Sequence, residues 1–182
     1  MLNPLIGIIA SSGGEVNSYE SIATAVGTGS SDTITFSSIP STYKHLQVRG
    51  IANAANIGAL MAMRLSGDTG SNYARHYLDG DGSSVTTGAA TSQTQMSFFD
   101  VTRLPTLSNT YGVFVCDILD YADTNKYKTV RILSGQDSNG SGGIDLTSGL
   151  WMSTSAVSSV TIRLNTSNFT TATQFALYGI KG

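Results

Sequence analysis

Short apolar segments that alternate with period two run through most of this chain, and each is closed by a cluster of Gly, Ser, Asp or Asn. No stretch sustains an apolar period of 3.6 residues. Alternation sends successive side chains to opposite faces of a strand, whereas an amphipathic helix needs apolar residues three and four apart. The chain is therefore expected to be all-β, built from about ten short antiparallel strands. Tyr19–Val26, Thr33–Phe36, His45–Ala52, Leu60–Leu65, Tyr73–Leu78, Met96–Val101, Val160–Leu164 and Gln174–Ile180 carry the pattern. In His45–Ala52, for example, Leu46, Val48 and Gly50 fall on one face and Gln47 and Arg49 on the other.

The strongest local signal is Gly112–Gly135, where the apolar runs Val113–Leu119 and Val130–Leu133 flank a polar stretch rich in Asp, Asn and Lys. That is the pattern of a β-hairpin with a longer loop. Val113, Val115, Val130 and Ile132 are expected to share one face, with Phe114, Cys116 and Ile118 on the other. A strand apolar on both sides belongs in the middle of a structure rather than at its edge. The fold expected from these elements is an antiparallel two-sheet β-sandwich, jelly-roll-like, over residues 19–182, preceded by an extended N-terminal arm over 1–18.

At 182 residues the chain can bury about 70% of the surface its unfolded form exposes. Charged residues make up only 12%, roughly half of the about 25% usual in globular domains. Their place is taken by 25 Ser, 22 Thr and 20 Gly. Such a surface favours burial against another subunit, because ordering short hydroxyl side chains costs less entropy than ordering Lys or Glu. The net charge of −2, with ten basic residues scattered singly, argues against a nucleic-acid partner. Within the arm, the apolar side chains Leu2, Leu5, Ile6, Ile8 and Ile9 form a run too short to span a bilayer, so no membrane partner is expected. They are read as partner-binding residues, since an exposed run of this kind is otherwise an aggregation hazard.

Chemistry is hard to place. The single cysteine, Cys116, allows no intrachain disulfide, and its apolar setting beside Asp117 reads as a buried hydrophobe rather than a nucleophile. Asp79-Gly80-Asp81-Gly82 and Asp137-Ser138-Asn139-Gly140 resemble the start of a calcium loop, but the closing glutamate is replaced by Ala90 in one and Ser148 in the other. Both read better as turns. His45 and His76 lie in the aromatic, basic stretches Tyr43-Lys44-His45 and Arg75-His76-Tyr77, and no G-x-S-x-G elbow accompanies them. No enzyme, metal or cofactor is expected. At a subunit interface the two histidines would make assembly sensitive to pH near about 6. Tyr73, Asp79, Asp81, Tyr121 and Tyr127 are the residues able to contact a glycan from loops, aromatic rings beside carboxylates. Residues 83–93 read as a mobile or partner-facing loop, and the QDSNGSGG stretch at 136–143 as a flexible connection.

The phrases FSSIPSTYKHLQVRGIA (36–52), GDTGSNYARHYLDGDG (67–82), DILDYADTNKYKTVRILSG (117–135), SGLWMSTSAVSSVTIRL (148–164) and the terminal FALYGIKG together resemble a family of small virion proteins of tailed bacteriophages, especially aquatic and cyanobacterial ones. The resemblance extends over nearly the whole chain and implies a virion component with no catalytic residue. The expectation is a capsid decoration or cement protein that binds the outer capsid surface and stabilises the shell, a homo-oligomer with a trimer favoured, whose partner is the major capsid protein. The alternative is a tail-fibre or receptor-binding protein seated on a tail adaptor and recognising host glycan. No shaft or coiled-coil segment can be read in these residues, which favours the capsid role.

Overall fold

The computed structural model describes residues 18–56, 58–100 and 109–182. Twelve strands and no helix occur among them: β1 (Tyr19–Val26), β2 (Thr33–Phe36), β3 (His45–Ala52), β4 (Leu60–Leu65), β5 (Tyr73–Gly80), β6 (Val85–Gln93), β7 (Met96–Asp100), β8 (Gly112–Leu119), β9 (Lys128–Asp137), β10 (Gly142–Trp151), β11 (Val160–Leu164) and β12 (Gln174–Ile180). They form two antiparallel sheets, an eight-stranded one in the order β1-β12-β3-β8-β9-β10-β5-β6 and a four-stranded one in the order β2-β11-β4-β7. The protein is a β-sandwich. The arm expected over 1–18, with Leu2, Leu5, Ile6, Ile8 and Ile9, falls outside the described residues apart from Ser18.

One continuous apolar core joins the sheets. The narrow sheet contributes Ile34, Met61, Met63, Val160, Ile162 and Leu164, the wide one Leu46, Val48, Cys116, Ile118, Val130, Ile132 and Leu177. Period-two patterning is what makes this possible, since alternate residues on each strand reach the same layer. A run of four phenylalanines crosses the core. Phe98 meets Phe114 at 5.6 Å between ring centroids, Phe114 meets Phe175 at 5.2 Å, and Phe175 meets Phe169 at 5.3 Å. Gly50 makes room for two of these rings, because a Cβ there would lie 2.3 Å from Phe175 and 2.7 Å from Phe114. Tilted and edge-on pairs of this kind add about 0.5–1.5 kcal/mol each beyond the area they bury.

Three expectations need correction. The hairpin β8–β9 forms in the interior of the wide sheet, but its faces are divided differently: Val113 and Val115 point outward with Leu133, whereas Val130 and Ile132 point inward with Cys116 and Ile118. The loop is even-numbered in its effect on register, pairing Val115 with Leu133 and Cys116 with Ile132, and a single-residue offset exchanges the faces. Residues 83–93 are mostly strand: β6 pairs along β5 and forms the edge of the wide sheet. Thr and Ala side chains suit a half-solvated pleat even where they bury little. Finally, 136–143 is no flexible connection but a tight hairpin turn between two ten-residue strands, closed by a 2.7 Å bond from Ser138 N–H to the Ser141 carbonyl.

Candidate functional site

The densest polar cluster lies at one end of the sandwich, where the β8–β9 loop meets the segment between β2 and β3. Asp120, just past β8, has a left-handed backbone (φ 47°) that turns the chain sharply. Its carboxylate receives Lys44 at 3.0 Å on one oxygen and Lys126 at 2.5 Å on the other. These two ammonium groups, hydrogen-bonding it and acting through their charge, bring its pKa down to about 2. The Asp120 N–H donates to His45 Nδ1 at 2.9 Å, which fixes the ring proton of the neutral imidazole on Nε2. Lys126 also lies 3.4 Å from Asp123.

Beneath this cluster sits Lys128, fully buried, its ammonium donating to the carbonyls of Asp123 at 2.6 Å, Lys126 at 2.8 Å and Thr154 at 3.2 Å. Its three protons thereby meet three carbonyls. Burial lowers its pKa. Tyr121 completes the closure: its hydroxyl donates to the Pro40 carbonyl and its own carbonyl accepts from Val157 N–H at 2.9 Å. The end is therefore tied down by side chains from the β8–β9 loop and the segment before β3.

The residues expected to contact glycan do not come together as a platform. Tyr73 and Tyr121 are completely buried, so neither ring offers a face to a ligand, and both assignments are corrected. Tyr73 stacks on Trp151 at 6.5 Å, and its hydroxyl receives Leu65 N–H at 3.0 Å. Desolvation pushes its pKa up to about 12. Tyr127 is exposed, on the loop that carries Asp123 and Lys126. Asp79 lies on the inward set of β5, directly across from Asp145 of β10, and is half-buried there.

Asp81 belongs to the opposite end. One of its carboxylate oxygens accepts from Ser83 N–H at 2.8 Å, Ser84 N–H at 2.7 Å and the Ser83 hydroxyl at 2.9 Å; the other accepts from the Ser84 hydroxyl at 3.0 Å. Its pKa is held far below the usual carboxylate range by these donors, the two backbone N–H groups foremost. The carboxylate thus makes a turn, as its Asp-Gly setting indicated. The two calcium-like turns do meet: Asp81 and Asp137 both line a shallow cleft of about 430 Å³ between the β5–β6 and β9–β10 connections. Among the described residues no group of three His, Cys, Asp or Glu side chains is placed to hold a metal ion. Cys116 is buried, and desolvation raises its thiol pKa well above the ordinary value.

What the sequence reading missed is a surface rather than a pocket. The outer face of the wide sheet exposes Leu78, Val113, Val115, Leu133, Ile144 and Leu146 side by side on neighbouring strands. The signal was present in β8, whose apolar character on both faces implied a second covered side. No family model, curated protein or solved structure matches the chain.

Proposed function

We propose that this chain is a structural protein of a bacteriophage virion, a decoration or cement protein that binds the outer capsid surface as part of a homo-oligomer and stabilises the shell. The observation that carries the reading is the exposed apolar face of the wide sheet, set in a surface poor in charge and rich in Ser and Thr. A face of this kind is suited to association, because few ions must be desolvated and little side-chain entropy is lost. Binding of many copies to the assembled shell then stabilises it by mass action, without chemistry. The family resemblance of the sequence supplies the virion setting.

We further read the fold as a jelly roll with an inserted hairpin. Eight strands, β2 to β7 with β10 and β11, follow the two-sheet winding of a jelly roll: β2-β11-β4-β7 in one sheet and β3, β10, β5 and β6 in the other. The hairpin β8–β9 is slotted between β3 and β10, and β1 and β12 extend the same sheet beyond β3.

The test is a cryo-EM comparison of phage particles with and without the protein, together with heating of both. Density lost at many equivalent positions on the icosahedral shell, and earlier rupture on heating, are expected. Density lost only at the tail would replace this reading with the fibre or adaptor role, and binding to host cells would then be the measurement that follows.

A further inference from the structure

Strand register arranges the outer face of the wide sheet in rows. One row reads Ile51, Val113, Gly135, Ile144, Gly80 and Val85 across β3, β8, β9, β10, β5 and β6. The next reads Arg49, Val115, Leu133, Leu146, Leu78 and Thr87, and the third Gln47, Asp117, Arg131, Ser148, His76 and Ala89. Val113 and Leu133 are each 51% exposed, Ile144 58% and Val85 70%.

We propose that this face docks a second copy of the chain, the two wide sheets packing face to face about a two-fold axis that runs along the strands between β9 and β10. Rotation about that axis sets β9 over β10, β8 over β5 and β3 over β6, and leaves each row facing itself. In the first row Ile144 of each copy meets Gly135 of the other, and Val113 meets Gly80, so these large side chains are received where the opposing residue has none. In the second row Leu133 meets Leu146 and Val115 meets Leu78. In the third Asp117 meets His76 and Arg131 meets Ser148, with no like charges opposed. Moving the axis onto β9 would set Gly135 against Gly135 and leave a void at the centre of the first row.

The correspondence between the two halves of one face is what selects a second copy as the occupant, since an unrelated partner requires none. The size fits as well. Six strands spaced about 4.8 Å apart and three rows about 6.8 Å apart cover roughly 600 Å², the lower end of what each partner contributes to a standard interface, with an apolar centre and a polar rim. Sheets packed in this way lie about 10 Å apart. The contact is two-fold, where the sequence alone pointed to a trimer, and it does not depend on the virion role.

Sedimentation equilibrium of the full chain tests it. A species of twice the chain mass is expected, and Leu133→Asp or Leu146→Asp, each burying an unpaired charge at the centre, should weaken it about 100-fold or more while the far-ultraviolet spectrum is unchanged. Should either variant fail to fold, a second measurement applies. Leu133→Cys and Leu146→Cys chains are mixed and treated with a short bifunctional thiol reagent able to span the roughly 5 Å left between sulfurs whose backbones lie about 10 Å apart, and the mixed cross-link should form ahead of either self-pair, free of interference from buried Cys116. A monomer, a trimer, a dimer untouched by both Asp variants, or the lack of a preferred mixed cross-link would each overturn the proposal.

Discussion

Lys128 holds the β8–β9 loop as a bound cation would, with its ammonium enclosed by three backbone carbonyls and no exposed surface. Replacing it with Met keeps the apolar stem and removes all three donors. Lys128→Met should therefore lower the unfolding free energy by roughly 2–4 kcal/mol in urea titration, since each stranded carbonyl loses its partner. Asp120 acts at the surface of the same loop and responds to pH instead. Its carboxyl pKa is lowered to about 2 in the folded chain by Lys126 and Lys44. A depressed folded pKa means the carboxylate stabilises the fold above its unfolded pKa of about 3.9, and that contribution is lost as pH falls toward 2. Urea midpoints of the parent chain and Asp120→Asn should accordingly differ at pH 6, with the parent more stable, and converge near pH 2. An undiminished gap at pH 2 would show that the carboxylate's charge is not what matters.

The β9–β10 turn is tight because Gly140 takes a backbone conformation, φ 104°, that side-chain-bearing residues rarely adopt, while a Cβ there would meet nothing within 4 Å. Gly140→Ala isolates the backbone cost from any steric one. It should destabilise the protein by about 1–2 kcal/mol, measured by thermal or urea denaturation. The Asn-Gly dipeptide that marks this turn was readable in the sequence, but the strands around it were not. Gly142, Gly143 and Gly149 give β10 little apolar alternation, and its identity comes from pairing with β9 and β5. β6 was hidden for the same reason, since Thr and Ala bury little and only β5 specifies it. Strands with strong alternation, such as β3, β11 and β12, were legible to within a residue because inward Leu, Val, Ile and Phe leave no other register. The faces of β8 were not, because both carry apolar residues, and only the pairing of Val115 with Leu133 decides which is outside. Tyr73 and Tyr121 misled for a related cause: a tyrosine near a turn can put its hydroxyl on a backbone carbonyl instead of in water, and composition does not distinguish the two.

Across the whole molecule, the last strand is not peripheral. β12 lies between β1 and β3, and its Phe175 and Leu177 are wholly buried. A chain shortened to end at Thr173 would lose both side chains and leave β1 without its only described neighbour in the sheet. We expect such a chain to lose its near-ultraviolet circular dichroism and its cooperative melting, whereas removing Lys181 and Gly182 alone should preserve both. The same arrangement bears on how the protein is made. β1 leaves the ribosome well before β12, its hydrogen-bonding partner, which follows about 150 residues later, roughly 7–30 s at ordinary translation rates. Once β3 has emerged, the edge it later shares with β12 stays open for the rest of that interval, with Val48 and Leu46 uncovered, beside other nascent chains on the same message. Vectorial synthesis therefore leaves the wide sheet unsealed until β12 arrives, and the speed with which it docks sets how long a growing chain is vulnerable to pairing with its neighbours.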